Sequence, residues 1–248
     1  MSEAAIVGYA PDVRKPLSLN VLVVCCGLVT LAGCGSSATS GAPASNTAPP
    51  QTPAAAASLS AMVLQPSDFP AGWAGAPYKA NPDDAASQAT LLQCVGARNT
   101  DSDKVAEEHS QDFSLAEASV SSQATSYRSQ SAIDADLALL RSPKVSSCYE
   151  QLIKKQLAGT LPTGATIDSV ALTLTPGSAG GPSNVAATGQ GTINVAVSGR
   201  QTAVYQSIAF ITGPLIEAQV DFENVGSPLP ATTQKALIEN FAARVAKG

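Results

Sequence analysis

The chain has a single histidine, His109, so a serine nucleophile in this protein would depend on that side chain as its general base. His109 lies in the polar string 106–112 (Ala-Glu-Glu-His-Ser-Gln-Asp), which is typical of an exposed loop, and the chain has no Gly-x-Ser-x-Gly elbow. Glu107 and Glu108 are a candidate carboxylate pair for acid–base chemistry, but adjacent acids on a polar loop are more often a solvated surface. The sequence therefore predicts no catalytic residue and no enzyme activity.

The sequence gives equally weak evidence for a phosphate-binding or metal-binding site. Residues 178–181 (Ser-Ala-Gly-Gly) are rich in glycine but lack the Gly-Lys-Ser/Thr that completes a phosphate-binding loop, so a flexible hairpin loop is the better interpretation. The chain has one histidine and no Cys-x-x-Cys spacing, which disfavours a zinc site. We expect no cofactor and no metal.

The first residues carry the pattern of an export signal. Arg14 and Lys15 are the only cations ahead of the apolar stretch 17–31, a charged segment followed by a short hydrophobic one. The stretch is too short to span a bilayer comfortably, because a spanning helix needs roughly 20 apolar residues. We therefore predict that residues 1–33 are a signal peptide.

The end of that stretch, Leu31-Ala32-Gly33-Cys34, resembles the lipobox of bacterial lipoproteins. Small side chains suit a signal peptidase beside the scissile bond, and a thiol can accept an acyl group. The resemblance implies a diacylglyceryl or palmitate lipid on Cys34, which would hold the protein to the extracytoplasmic face of the cell membrane. The alternative is an ordinary secretory signal, or a marginal anchor, with a chance cysteine.

Composition divides the rest of the chain into a tether and a domain. Residues 34–58 combine the lipidated cysteine with a segment built almost wholly of Ser, Ala, Thr, Pro and Gly that has no charge and no bulky apolar residue before residue 59. Such a segment cannot bury enough surface to offset its ordering entropy, so it is predicted to be a tether, which suits O-glycosylation by composition alone. Residues 59–248 are long enough for a single globular domain.

The remaining cysteines predict a disulfide bond. Cys25 and Cys26 leave with the signal and Cys34 is used by the lipid, so Cys94 and Cys148 remain as an even pair in an oxidising compartment. The alternatives are two free thiols or a metal site.

Charge and composition restrict the partners. The net charge is −5, and it is unchanged when the signal is removed because two residues of each sign leave. A mildly acidic chain without basic clusters argues against nucleic acid and against electrostatic docking on anionic lipid. Aromatic residues make up 4% and small residues are abundant, which favours either a core of small residues or an internal cavity.

Apolar periodicity predicts an α+β domain with helices packed against an antiparallel sheet of about five strands. Helices are predicted at 60–65, 83–97, 131–140, 144–157 and 232–246. Strands are predicted at 113–127, 167–175, 191–198, 202–212 and 215–225. In the last strand Ile216, Ala218, Val220 and Phe222 alternate with Glu217, Gln219, Asp221 and Glu223, which indicates a sheet with one buried face and one wet face.

Several strings together resemble a group of exported actinobacterial, largely mycobacterial, lipoproteins of unassigned function. They are Ser67-Asp68-Phe69-Pro70-Ala71-Gly72-Trp73, Leu92-Gln93-Cys94-Val95-Gly96, Leu140-Arg141-Ser142-Pro143-Lys144 through Cys148, and Val225-Gly226-Ser227-Pro228. More distantly, the layout is similar to PsbP/Mog1-like lipoproteins and to the sensor domains of mycobacterial Ser/Thr kinases. Those sensors carry two disulfides and a transmembrane helix, so the resemblance implies an extracytoplasmic location and a fold but no signalling role.

Three functions remain as expectations. The first is a cell-envelope binding module for a small apolar molecule or a lipid, which an apolar cavity would support. The second is an accessory or scaffold protein that docks on another envelope protein, which a contiguous exposed apolar patch would support. The third, well behind, is an envelope hydrolase, which needs a cleft with convergent acid and base groups.

The lipid anchor is tested by Cys34→Ala, which removes the thiol that accepts the lipid. We expect the variant to leave the membrane fraction, while Cys25→Ala, a matched change within the signal, leaves the protein there. Fractionation and immunoblotting measure the result. A Cys34→Ala protein that still pellets with membranes and resists salt washing would contradict the assignment.

Overall fold

The computed structural model of the chain describes residues 56–161, 164–177, 181–197 and 199–247. The predicted signal peptide 1–33, Cys34 and nearly all of the predicted tether lie outside these residues, whereas the predicted domain 59–248 coincides with most of them. No helix in the described part of the chain is long and apolar enough to cross a membrane.

The described residues form helices and one sheet. The helices are α1 (Ala56–Met62), α2 (Asp84–Val95), α3 (Gln130–Leu140), α4 (Val145–Thr160) and α5 (Ala231–Val245). The strands are β1 (Ala74–Ala76), β2 (Lys104–His109), β3 (Asp112–Leu115), β4 (Ala118–Tyr127), β5 (Ala165–Pro176), β6 (Val185–Val197), β7 (Arg200–Gly213) and β8 (Ile216–Val225).

The predicted sheet of about five strands is wrong, because the sheet has eight antiparallel strands. The predicted strand 113–127 is two strands, β3 and β4, joined by a turn in which Ala116 adopts a φ of 52°. β1 has three residues and β2 is polar, so neither carries the apolar alternation that marks a strand in a sequence. The larger sheet remains consistent with an α+β domain.

The sheet follows the order β1-β3-β4-β8-β7-β6-β5, with β2 pairing β4 beside β3. The last four strands form the predicted antiparallel meander, and β6 and β7 are longer than predicted. β4 brings the two halves of the domain together, because it pairs with β8 on one side and with both β2 and β3 on the other. This central pairing places β8 in the middle of the sheet.

One face of the sheet packs against α1 and α5. Its core consists of apolar side chains from β3, β4, β6, β7 and β8 together with those of the two helices, including Val120, Ala124, Val220, Phe222, Leu237 and Phe241. Asp68, in a short 3-10 turn after α1, accepts hydrogen bonds from both terminal nitrogens of Arg244, each at 2.8 Å. This bidentate pair fixes the end of α5 to the start of the domain.

The opposite face is also covered, so the expectation of one wet face is wrong. α2 and α4 pack over β5, β6 and β7 through a second core that includes Leu91, Leu152, Ile153, Val170, Ile193 and Val204. α3 packs on β4 through Tyr127, Ala132 and Ile133. The domain therefore has three layers, helices on both faces of one sheet, whereas the sequence pattern of β8 had indicated two.

A disulfide bond joins Cys94 on α2 to Cys148 on α4. Cys94 is exposed and Cys148 is buried in the core between α4 and the sheet. About two helical turns from the bond, Gln156 Nε2 on α4 donates a 2.6 Å hydrogen bond to Ser87 Oγ on α2. The two helices that cover the second face are thus held to each other as well as to the sheet.

Replacing Cys94 by Ala should lower the free energy of unfolding by about 4 kcal/mol, because the bond closes a long loop in the unfolded chain. Cys94 is the exposed partner, so its replacement removes little packing. Chemical denaturation with and without reductant measures the effect. Reduced wild-type protein should match the variant. An unfolding free energy equal to that of the oxidised wild type would show that the bond does not stabilise the fold.

Candidate ligand-binding cavity

A cavity of about 1060 Å³ lies between the sheet and the helices α2, α3 and α4. We call it the sheet–helix cavity. Its floor is formed by strands β3 to β8 and its roof by the three helices, with the segment 76–81 at one end. It exists because the roof helices pack closely over one end of β5, β6 and β7, at Val170, Ile193 and Val204, but not over the other end of these strands or over β8, β4 and β3.

One half of the cavity is apolar. Leu172 and Leu174 on β5 and Ile208 on β7 line its floor, and Leu91 and Leu152 line its roof. Gly189 on β6 shapes this floor, because a Cβ atom there would lie 2.6 Å from Ile208 Cγ2 and 2.7 Å from Leu174 Cδ2. The glycine allows these two side chains to lie flat on the sheet, which leaves the space above them open.

The other half is acidic, and strand alternation on β8 produces it. Asp221 and Glu223 point to this face, where the paired strands place Ser121 and Ser119 beside them on β4. Gln219 Nε2 donates to both carboxylate oxygens of Asp221, at 2.9 and 2.7 Å. The sequence pattern had predicted that Asp221, Glu223 and Gln219 face bulk water.

A second glutamine supports Glu223. Gln206 on β7 lies directly opposite Glu223 and hydrogen-bonds its side chain. Tyr149 on α4 donates its hydroxyl to Gln206 Oε1 at 2.8 Å, which orients the amide so that its nitrogen faces the carboxylate. The roof therefore takes part in positioning the acid on the floor, through Tyr149 and Gln206.

Burial changes the protonation of these acids. Desolvation raises the pKa of Asp221 to about 7, although the hydrogen bonds from Gln219 oppose the shift. Desolvation likewise raises the pKa of Glu223 to about 7 and that of Glu217, further along β8, to about 8. Asp221 and Glu223 remain partly accessible because the cavity reaches them.

Asp84, at the start of α2, is the most enclosed acid of the cavity lining, with 5% of its surface exposed. Its Oδ1 atom receives no hydrogen bond from the part of the chain that the structure describes. Desolvation raises the pKa of Asp84 to about 6, against hydrogen bonds from Asn81. A buried acceptor oxygen without a donor is costly in a folded protein.

His109 and Glu107 lie on β2 and belong to a hydrogen-bonded group next to the cavity, so their assignment to an exposed loop is wrong. His109 Nε2 lies 2.9 Å from Glu107 Oε1, and Lys104 Nζ donates to Glu107 Oε2 at 2.8 Å. Burial raises the pKa of Glu107, but His109 and Lys104 together lower it more. Tyr78 stacks on the His109 ring with centroids 3.9 Å apart.

Cys34 lies outside the described residues, and the structure places the main other candidates from the sequence. Cys94 and Cys148 hold two roof helices together, and His109 and Glu107 form a pair with a cation rather than with a nucleophile. Within the described residues no group of His, Cys, Asp or Glu side chains has the arrangement of a metal site. The acids Asp221 and Glu223 were missed as site residues, because alternation identifies a face but not what covers it.

Comparison with known proteins adds little. No known protein family matches the chain, and no curated protein matches it. Among solved structures, the domain is similar to the crystal structure of the extracellular domain of PknH from Mycobacterium tuberculosis, with a TM-score of 0.40 and 12% sequence identity. The match covers 79% of this chain and 99% of that chain. A likeness at this level assigns neither activity nor ligand.

The raised pKa values predict that stability falls as the pH rises. Unfolded Asp and Glu titrate near pH 4, so between about pH 4 and pH 7 the folded protein binds more protons than the unfolded chain. The stabilisation is therefore complete below about pH 4 and is lost as the pH rises through about 7. Between pH 5 and pH 8 the loss should be on the order of 2 kcal/mol, allowing for water in the cavity.

Denaturation curves at several pH values measure this dependence. Asp221→Asn should flatten the profile, and Asp134→Asn, an exposed matched change on α3, should leave it unaltered. A wild-type protein whose stability rises between pH 5 and pH 8 would refute the assignment of protonated carboxyls.

Proposed function

We propose that this chain is a non-catalytic cell-envelope lipoprotein whose domain binds an amphiphilic small molecule or lipid in the sheet–helix cavity. The observation that carries the proposal is the cavity itself. Its volume of about 1060 Å³ is at the upper end of the range of roughly 300–1,000 Å³ that is usual for ligand sites. The cavity opens to solvent at its rim, where Lys79, Ser119 and Lys155 are exposed, so a ligand can enter it.

The lining supports an amphiphilic ligand. Leu172, Leu174 and Ile208 offer an apolar surface at one end, and Asp221 and Glu223 offer hydrogen-bond acceptors at the other. A purely apolar molecule would leave the buried acids without compensation, and a purely polar one would gain nothing from the leucines. A molecule with a hydrocarbon body and a polar end meets both halves.

Docking on another envelope protein is the weaker alternative, because the described surface exposes few large apolar side chains. Among the residues that the structure describes, the large apolar side chains that are exposed are Val105, at 37%, and Leu115, at 43%. Scattered exposed apolar residues are normal on a monomer and do not make an interface. The described surface therefore offers less for a protein partner than the interior offers for a small molecule.

A catalytic function has even less support. His109, the general base that a serine hydrolase would need, lies against Glu107 and Tyr78 instead of a serine hydroxyl. The lipid on Cys34 would place the domain at the outer face of the cell membrane, where an amphiphilic ligand is to be met. This location rests on the resemblance of residues 31–34 to a lipobox.

The proposal is tested by filling the cavity. Ser121 lies on the cavity side of β4, so Ser121→Phe should occupy space between Asp221 and the roof and reduce ligand binding at least tenfold. Ser169→Phe, on the exposed edge strand β5, is the matched control because it adds the same ring outside the cavity.

The measurement is made on residues 34–248 with Cys34→Ala, exported from an actinobacterial host behind an ordinary secretory signal. Native mass spectrometry detects a molecule carried from the host, and titration with an environment-sensitive fluorescent fatty amine or alcohol gives the affinity. We expect a bound lipid in the wild type and in Ser169→Phe but not in Ser121→Phe. A bare wild-type mass together with no titratable probe binding would refute the binding function.

A further inference from the structure

We propose that the polar end of the ligand in the sheet–helix cavity is a cationic amine. This inference rests on the proposed binding function and names the class of molecule that the same site accepts. It follows from the distribution of charge in the cavity, from the hydrogen-bond partners of its acids, and from the unsatisfied oxygen of Asp84.

Charge in the cavity is one-sided. The acidic lining residues that are at least partly buried are Asp84, Asp112, Asp136, Asp221 and Glu223, whereas the lining cations Lys79 and Lys155 are both exposed. An anionic head group, such as a carboxylate or a phosphate, would therefore enter a space that already holds buried negative charge. Like charges in a partly buried site repel each other, so the cavity disfavours anionic lipids.

The acids on β8 have neutral partners only. Within the described part of the chain neither Asp221 nor Glu223 forms an ion pair, and each is hydrogen-bonded by a glutamine side chain. Asp136 differs, because Thr100 and Tyr127 both donate hydrogen bonds to it and join α3 to β4. Asp136 is thus a structural acid, while Asp221 and Glu223 keep acceptor capacity that faces the cavity.

Asp84 supplies an independent indication of a missing donor. It is 95% buried, it lines the same cavity from the roof, and its Oδ1 receives no hydrogen bond from any residue that the structure describes. A native protein rarely keeps such an atom without a partner, whether from the chain, from water or from a ligand. The partner that Oδ1 lacks is a donor, and because this atom is almost inaccessible to solvent, a ligand donor reaches it only when the Asp84 side chain turns towards the cavity.

A protonated amine meets these conditions better than a hydroxyl. An ammonium group carries three N–H donors and a positive charge, whereas an alcohol carries one donor and no charge. Hydrogen bonds between a charged donor and a carboxylate are also about twice as strong as neutral ones. The ligand is therefore a cationic amphiphile, with its hydrocarbon body over Leu172, Leu174 and Ile208.

The experiment compares three amphiphiles that share one hydrocarbon chain: dodecylamine, dodecanol and dodecanoate. Each is titrated below its solubility limit or micelle concentration into the exported protein at pH 8, where Asp221 and Glu223 are mostly ionised and an amine is still protonated. Displacement of a bound fluorescent amphiphile gives the affinities. We expect dodecylamine to bind at least about tenfold more tightly than dodecanol, and dodecanoate to bind most weakly.

Variants show which residues cause the preference for dodecylamine. Asp221→Asn with Glu223→Gln removes the two charges on β8 and should weaken dodecylamine binding about tenfold or more, as should Asp84→Asn in part. Asp134→Asn, which removes an exposed acid outside the cavity, should leave the amine preference unchanged. A thermal melt of each variant establishes that it is folded. Ser121→Phe should abolish the preference, which separates cavity binding from attraction to the acidic surface.

The outcomes distinguish the two proposals. Dodecanoate binding as tightly as dodecylamine, or an amine preference that survives in the Asp221→Asn/Glu223→Gln protein, would overturn the cationic ligand and leave the binding function standing. Failure of all three amphiphiles to bind would overturn the binding function, and the cationic ligand with it.

Discussion

The placement of β8 at the centre of a sheet that is covered on both sides is the constraint on which the rest of the structure depends. One side of this strand is apolar and packs against α1 and α5, as in any sheet with a core. The other side carries Glu217, Gln219, Asp221 and Glu223, which lie beneath helices instead of facing bulk water. Buried carboxyls need hydrogen bonds or protons, and both are found here, in the glutamine partners and in the raised pKa values.

This constraint explains why the domain contains a large cavity. Helices can pack tightly over one end of β5, β6 and β7, because Val170, Ile193 and Val204 give an apolar surface there. They cannot pack in the same way over Asp221 and Glu223 without removing all water from two carboxyls. The roof therefore departs from the sheet above the acidic half, and the disulfide between α2 and α4 keeps the two roof helices together while it does so.

The same arrangement connects stability with function. Raised carboxyl pKa values mean that the fold is less stable when these acids are charged, which is the condition in which they would bind a cation. A cationic ligand would offset that cost by pairing with the charges, so binding and stability are coupled through the same groups. Strained or unfavourable groups that a fold retains are frequently those that its function requires.

Local pattern in the sequence determined much of this architecture. The apolar stripes of α2, α4 and α5, the alternation in β8 and the pairing of Cys94 with Cys148 are each encoded within a short segment or by compartment chemistry. The short strand β1 and the polar strand β2 were not predictable, because β2 is stabilised as a strand by backbone pairing with β4 rather than by its own side chains. Only the tertiary structure decided that the acidic face of β8 is covered, since alternation separates two faces but cannot tell which helices, from distant parts of the chain, come to lie over them. The candidate site depends on that long-range packing, which no local pattern records.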